Sequence, residues 1–132
     1  MAGESTAKAT VISMCCSTAI TKGYLLWLKT ATPDYVKAAS AAGAQCIGLA
    51  MDSATTDDAT VPVALLNGGG TLCGVVGAAI TAGGVLMTDN VGRLTPWVNG
   101  GGTVYIVGIA LESSSTVGAS LLFAPMIQVT VV

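Results

Sequence analysis

One eight-residue phrase decides the architecture of this chain, because it occurs twice. Cys46-Ile47-Gly48-Leu49-Ala50-Met51-Asp52-Ser53 is matched 60 residues later by Ile106-Val107-Gly108-Ile109-Ala110-Leu111-Glu112-Ser113. Both copies read apolar, apolar, Gly, apolar, Ala, apolar, acid, Ser, which is typical of a buried strand that ends in a polar turn. The glycine within each strand indicates close packing or a bulge.

A second pair of segments matches at the same spacing. Ile20-Thr21-Lys22-Gly23 corresponds to Ile80-Thr81-Ala82-Gly83, and an apolar run follows each of them. Similarity at a fixed period is the signature of a repeated structural unit. The sequence therefore predicts two similar β-units, and we expect them to pack about a pseudo-two-fold axis.

Outside the phrase, short apolar runs alternate with turn signals. Turn residues recur roughly every 8–12 residues, as in β-sandwiches and β-barrels. Pro62 predicts an edge strand or a strand start for 61–66, and Asn67-Gly68-Gly69-Gly70 predicts a hairpin turn. Pro125 is expected to interrupt the chain before a terminal strand. The predicted strands cover residues 10–16, 24–29, 35–39 (or a helical turn), 45–51, 61–66, 71–76, 85–88, 93–98, 103–111, 119–123 and 126–132.

The predicted fold class is all-β. We expect a single compact domain over residues 10–132, built of short strands as a β-barrel, a β-tulip-like fold or a sandwich. Residues 1–9 are small and polar without periodicity, which is typical of a flexible, extended N-terminal arm.

Composition excludes several functional classes. Charged residues make up 9% of the 132 residues, against about 25% in ordinary soluble domains, so we expect partners to cover much of the surface. Five basic residues and a net charge of −2 offer no basic patch for nucleic acid. The uncharged run 59–88 is long enough to span a bilayer, but its glycine turn argues against a membrane helix. The polar N-terminus predicts synthesis and retention inside a cell.

Catalytic and metal-binding patterns are also missing from the sequence. The chain has no histidine, and no serine or cysteine is followed by a motif that would supply a base. The acids Asp52, Asp57, Asp58 and Glu112 lack the alternating spacing of a calcium loop, so we expect them to solubilise loops. We therefore predict that the protein is not an enzyme and has no metal or cofactor.

The cysteines and tryptophans are the remaining candidates for a site. Cys15 and Cys16 are adjacent on a predicted strand and point to opposite faces, so one is expected in the core and the other outside. An intermolecular disulfide through Cys15 or Cys16 is one alternative. Cys46 and Cys73 are predicted to pack as small apolar side chains. Trp27 and Trp97 are candidate interface aromatics, with core packing as the alternative.

The order of several segments resembles a known family. These are Lys22-Gly23-Tyr24-Leu25-Leu26-Trp27, Ile47-Gly48-Leu49-Ala50-Met51-Asp52, Val61-Pro62-Val63, Ile80-Thr81-Ala82-Gly83-Gly84-Val85-Leu86-Met87-Thr88 and Val107-Gly108-Ile109-Ala110-Leu111-Glu112. Together they resemble the small capsid cement, or decoration, proteins of tailed bacteriophages over roughly residues 20–124. The four cysteines and the apolar tail 125–132 depart from the usual pattern.

The resemblance implies a non-enzymatic structural protein of the virion, made in the host cytoplasm. Such proteins bind the major capsid protein on the outer capsid surface as homotrimers and bridge neighbouring capsomers. It also implies an N-terminal arm that contacts the capsid, with Ala2, Gly3, Glu4, Ser5, Thr6, Ala7 and Lys8 as the candidate residues. The rival interpretation is a β-barrel binding module, such as a glycan-binding domain or a tail or adhesin component.

Overall fold

The fold is built entirely of β-strands in the residues that the computed structural model describes, which are 10–28, 35–55, 59–98 and 103–130. We divide the ten strands into unit 1 (β1–β5) and unit 2 (β6–β10). The strands are β1 Val11–Cys16, β2 Leu25–Leu28, β3 Tyr35–Ala38, β4 Gly48–Ala50, β5 Thr60–Leu65, β6 Leu72–Val75, β7 Val85–Thr88, β8 Leu94–Pro96, β9 Val104–Ala110 and β10 Ser120–Thr130. The predicted all-β barrel or sandwich class is confirmed.

The two units have the same strand order. Unit 1 is a closed barrel in the order β1-β3-β2-β4-β5, in which β1 pairs with both β3 and β5. Unit 2 has the order β6-β10-β9-β7-β8, which is the same ring opened between β6 and β8. A single parallel bridge, Val76–Leu94, joins those two strands where unit 1 has a two-pair ladder.

Strand register is also duplicated, which confirms the internal repeat. We call two residues counterparts when they occupy equivalent positions, 60 residues apart, or 58 apart on β3 and β8, where the connection in unit 2 is shorter. The matched pairs are Cys15–Thr60 with Val75–Ser120, Leu25–Leu49 with Val85–Ile109, Gly48–Leu65 with Gly108–Pro125, and Leu26–Ala38 with Leu86–Pro96.

The same tight turn precedes β2 and β7. Gly23 and Gly83 adopt φ values of 87° and 84°, a region that favours glycine because it lacks a Cβ. The Oγ of Ser53, at the end of the first repeated phrase, accepts the Lys22 amide at 2.9 Å. Ser113, at the end of the second, accepts the Ala82 amide at 2.8 Å. The repeated phrase and the repeated turn are therefore one structural element.

The interiors of the two units are built from counterpart residues. In unit 1 they are Cys16, Ile20, Leu26, Val36, Ala50, Val61 and Val63. In unit 2 they are Val76, Ile80, Leu86, Leu94, Ala110, Leu121 and Phe123. Every one of these side chains is at most 4% exposed.

One outer face of unit 1 joins the core of unit 2. Leu25, Leu49 and Ala64 lie side by side across β2, β4 and β5, and they belong to the hydrophobic cluster that fills unit 2. We call these three residues the wall of unit 1. Burial of this apolar surface stabilises the contact between the units.

Main-chain hydrogen bonds also cross the junction between the units. The Leu25 amide donates to the Gly92 carbonyl at 2.7 Å, and the Gly43 amide donates to the Thr88 carbonyl at 2.9 Å. The Gly43 carbonyl accepts the Tyr105 amide at 3.0 Å. Close approach of backbones is possible here because Gly43 and Gly92 have no side chain.

The contacts across the junction are not made by equivalent pairs. A Cβ at Gly23 would lie 3.0 Å from Val75 Cγ2 of unit 2, whereas in the part of the chain that the structure describes nothing lies within 4 Å of the same position on Gly83. A two-fold relation between the units would place Cys15, the counterpart of Val75, beside Gly83. The junction therefore does not follow the predicted pseudo-two-fold axis, and the duplication itself does not depend on that axis.

Two predictions around the middle of the chain are wrong. The turn at 67–70 is not a hairpin, because it connects β5 of unit 1 to β6 of unit 2 and those strands do not pair. The edge-strand alternative for Pro62 is also wrong, since β5 pairs with both β1 and β4; Pro62 is the third residue of β5, near the start of the strand. Pro62 is tolerated because it lies just beyond Ala50–Val63, the last pair between β4 and β5. Its carbonyl still accepts the Met51 amide at 2.9 Å, and only the bond that a Pro62 amide would donate is missing.

Pro125 does not end a strand, contrary to expectation. β10 continues through it, and the register with β9 shifts between Pro125 and Gln128. Two predicted features lie outside the described residues: the arm at 1–9 and the loop acids Asp57 and Asp58.

Candidate interaction surfaces

The predicted alternation of Cys15 and Cys16 is confirmed. Cys16 is fully buried, and Cys15 is half-buried on the opposite face of β1. Cys15 is therefore the more accessible of the two thiols, and an intermolecular disulfide through Cys15 or Cys16 stays a prediction.

The other two cysteines differ from each other. Cys46 packs in the core at 2% exposure, as predicted, and burial raises the pKa of its thiol from 9.0 to about 12. The side chain of Thr88 from unit 2 bonds to that thiol and partly opposes the shift. Cys73 is exposed on β6, so its predicted role as a core side chain is wrong. Its neighbours Leu72 and Gly74 take the buried positions, because side chains alternate along a strand.

Trp27 lies in a shallow cleft on unit 1. The side chain is half-buried on β2, and the Lys37 Nζ lies 5.2 Å from its ring centroid, within the range of a cation–π contact. Leu28, Ala44, Gln45 and Ile47 complete a cleft of about 410 Å³. Leu28 is 47% exposed, so the rim of the cleft is apolar.

Trp97 lies in a separate cleft on unit 2. It follows β8 and is half-buried, and the cleft of about 310 Å³ beside it is lined by Gly84, Val85 and Pro96 among others. The indole N–H groups of both tryptophans are buried without an acceptor among the described residues. An unsatisfied buried donor is costly, and such groups are uncommon in folded proteins. Both tryptophans therefore occupy positions between core and surface, and their interface role stays a prediction.

The acids that end the repeated phrases are exposed, as expected. Asp52 begins a loop at the end of unit 1 that carries the Gly23 turn. Glu112 begins the counterpart loop at the end of unit 2 that carries the Gly83 turn. Beside them, Met51 is 38% exposed and its counterpart Leu111 is 48% exposed. Each unit thus presents an apolar side chain next to a carboxylate at this end.

Asp89 organises the loop between β7 and β8, a role that the sequence patterns did not predict. Its Oδ1 accepts the amides of Val91 and Arg93 at 2.9 and 2.8 Å, and its Oδ2 accepts Arg93 Nε at 2.9 Å. This loop carries Gly92, whose carbonyl accepts the Leu25 amide across the junction. The signal in the sequence was the Asp89-Asn90-Val91-Gly92 turn, since aspartate side chains commonly bond to amides a few residues ahead.

The described residues form neither a metal-binding cluster nor a membrane-spanning helix. Within 10–28, 35–55, 59–98 and 103–130, no group of three or more metal-ligating side chains is close enough to hold an ion. No helix in the same part of the chain is long and apolar enough to cross a membrane.

Comparison with known proteins gives one type of match. No protein-family model matches the chain. No curated protein matches it either. Among solved structures, the chain is similar to the N base of the head fiber protein gp8.5 of bacteriophage phi29, with a TM-score of 0.70 and 16% sequence identity. The match covers 90% of this chain and 95% of that one. At this identity the likeness establishes a shared fold over nearly the whole of both chains.

Proposed function

We propose that this protein is a structural component of a bacteriophage head, and that it decorates the outer surface of the capsid. The observation that carries the proposal is the fold shared with the N base of a phage head fiber over 90% of the chain. Because both units are included in that match, the likeness concerns the duplicated architecture and not a common small barrel.

The surface chemistry supports a role in assembly. Large apolar side chains are exposed at several separate positions, among them Val98 at 56%, Leu28 at 47% and Val11 at 48%. With 9% charged residues, such a surface loses little free energy of hydration when another protein covers it. Weak contacts of this kind become effective when many copies bind one shell, because the contacts add through multivalency.

In the finer form of the proposal the protein is a cement protein. It binds the major capsid protein as a homotrimer and bridges neighbouring capsomers, as the sequence resemblance implies. Residues 2–8 form the arm that contacts the shell. An extended arm can pair with an exposed sheet edge, where main-chain hydrogen bonds contribute to affinity.

The experiment is electron cryo-microscopy of purified heads with and without the protein. We expect density for the duplicated barrel on the outer surface, at three-fold and quasi-three-fold positions. Heads that lack the protein should release DNA at a lower temperature. Density confined to the tail, or heads of unchanged stability with no external density, would refute the proposal.

Removal of residues 1–9 tests the arm separately. The truncated protein should retain the thermal unfolding curve of the full chain and bind heads with at least about tenfold weaker affinity, since each 1.4 kcal/mol of lost contact is tenfold. A matched control replaces residues 2–8 by a Gly/Ser segment of the same length. If both variants decorate heads normally, the arm has no role in binding.

The rival function, a glycan-binding module, has weaker support. Sugars stack on exposed aromatic faces, and the Trp27 cleft is the best such position in unit 1. However, the ammonium group of Lys37 already lies over that ring at 5.2 Å, and Trp27 is half-buried. Glycan-array binding that is lost in Trp27→Ala would favour this alternative.

A further inference from the structure

Both surfaces that meet at the junction between the units have counterparts elsewhere on the chain. At the junction, the wall of unit 1 contacts the inward face of β6, where Leu49 Cδ1 lies 3.4 Å from the Cβ position of Gly74. The counterpart of that wall is Val85, Ile109 and Ala124, which we call the wall of unit 2. The counterpart of the inward face of β6 is the inward face of β1. Each counterpart is less buried than its original.

The inward face of β1 leads to an open end of the barrel. Along this face burial falls from Cys16, at 0% exposure, through half-buried Met14 to Ile12, at 40%. Along the same face of β6, by contrast, burial is maintained out to Leu72, at 4%. Leu72 is buried because the wall of unit 1 covers that end of unit 2, together with Lys22, Gly23 and Met51, which line a small cleft beside Leu72. We call Ile12 with Met14 the open end of unit 1.

The wall of unit 2 is in register but only half-covered. Val85 pairs with Ile109, and Ile109 pairs with Ala124, as Leu25, Leu49 and Ala64 do in unit 1. The three residues of unit 1 are at most 1% exposed, whereas all three of unit 2 are half-buried.

Two features beside the wall of unit 2 mark the place of a missing neighbour. No described residue lies within 4 Å of a Cβ built on Gly83, although Gly23 in the same position meets Val75. The cleft of about 310 Å³ is lined by Gly84 and Val85. Their counterparts, Tyr24 and Leu25, are the residues against which Gly92 of the other unit packs.

We propose that the wall of unit 2 in one copy of the chain binds the open end of unit 1 in a second copy. The contact between chains then uses the counterparts of the two surfaces that meet within each chain. It is not an identical copy of that junction, because unit 1 is closed and Met14 occupies the place where Gly74 leaves room for Leu49. Both surfaces are uncharged, and the charged Lys22 of the internal junction is replaced by Ala82 in unit 2. Apolar surfaces without charge are suited to bury each other.

The contact joins two different surfaces, so it is heterologous and links copies head to tail. Such contacts produce a closed ring when the rotation per step closes, and a filament otherwise. A trimer would be a ring of six units. The inference deepens the homotrimer of the proposed function, because it names the surfaces that join the copies, but it does not depend on where the protein is located.

The test uses two aspartate variants of the full chain, one on each surface. Leu111→Asp places a charge at the end of the wall of unit 2, and Ile12→Asp places one at the open end of unit 1. Both side chains are more than one-third exposed, so the folds should survive. Val91→Asp is the matched control, because Val91 is 41% exposed in the β7–β8 loop, at the other end of unit 2. Circular dichroism and thermal unfolding verify each fold.

Sedimentation velocity and native mass spectrometry give the readout. The wild-type chain and Val91→Asp should assemble beyond the 13.0 kDa chain mass, and each of the other two variants alone should be monomeric. Mixed in equal amounts, Leu111→Asp and Ile12→Asp should form a heterodimer and nothing larger, because each retains one intact surface. The proposal is overturned by a monomeric wild type, by normal assembly of either variant, or by a mixture that stays monomeric.

Discussion

Unit 1 and unit 2 share strand order and register, yet unit 1 closes and unit 2 does not. The difference follows from the size of the interior side chains. Where unit 1 has Val61 and Val63, unit 2 has Leu121 and Phe123, all of them essentially fully buried. A wider interior requires a wider ring, because barrel interiors are filled by side chains and not left empty.

The opened ring is what binds the units together. Leu94 occupies the place of the smaller Val36, and Gly74 faces it, since a Cβ there would lie 2.7 Å from Leu94 Cδ1. The same glycine leaves room for Leu49 of unit 1. The two units thus keep one pairing scheme, while a few substitutions open unit 2 so that its core takes in the wall of unit 1.

The largest effect should come from the two walls. Leu49→Ala removes a side chain that is 1% exposed at the junction, and we expect a loss of about 2–5 kcal/mol in the free energy of unfolding. Ile109→Ala at the counterpart position should cost clearly less, because Ile109 is half-buried. Urea unfolding followed by tryptophan fluorescence measures both, at a protein concentration low enough to keep the chain monomeric. Equal losses would mean that the two walls are equally covered in the monomer.

Substitution of the central glycines of the repeated phrases should give the next largest loss in the free energy of unfolding. A Cβ at Gly48 would lie 2.5 Å from Val63 Cγ1, and one at Gly108 would meet the Ala124 carbonyl and lie 2.6 Å from Phe123 Cδ2. We expect Gly48→Ala and Gly108→Ala each to cost about 1–3 kcal/mol by overpacking. Gly108→Ala should cost more, because two atoms of the Phe123 ring obstruct the new methyl group.

Gly69→Ala is the matched control for that pair. Gly69 has a φ of 79° and no described residue within 4 Å of its Cβ position, so the substitution reports mainly backbone strain. Its cost should be about 1 kcal/mol. The packing explanation fails if Gly69→Ala is as destabilising as Gly108→Ala in the same denaturation experiment.

The smallest effect at neutral pH concerns Cys46, whose counterpart in unit 2 is Ile106. Burial raises the pKa of the folded-state thiol from 9.0 to about 12, so this group does not change stability below pH 9. Between pH 9 and about 12 the unfolded state releases the proton first, and stability should fall by up to about 1.4 kcal/mol per pH unit. The comparison of wild type with Cys46→Ala in urea unfolding from pH 8 to pH 11 isolates this slope. Parallel pH profiles for the two proteins would contradict the buried-thiol explanation.

Much of the fold could be predicted because strands and turns are local. The bounds of β7, Val85–Thr88, agree with the predicted strand to the residue. The turns before β2 and β7 could be predicted from Gly23 and Gly83. Pairing partners were harder to predict. The turn at Asn67 has the composition of a hairpin, but the strands on either side of it find better partners in their own units.

The candidate surfaces were less predictable than the strands. Alternation along β1 predicted that Cys15 and Cys16 face opposite sides, but the exposure of Cys73 depends on which face of β6 the other half of the chain covers. Asp89 was missed because its role requires Arg93 and the Gly92 carbonyl to be placed by the junction.

The sequence by itself determined the all-β class, the 60-residue duplication and the position of the repeated turns, because each follows from patterns within a few residues. Only the tertiary structure decided which unit closes, which wall is buried and which is left half-covered. The physical reason is that burial is a property of pairs of surfaces. Leu49 and Ile109 occupy the same position in the same phrase, but the other half of the chain lies against Leu49 and leaves Ile109 half-buried.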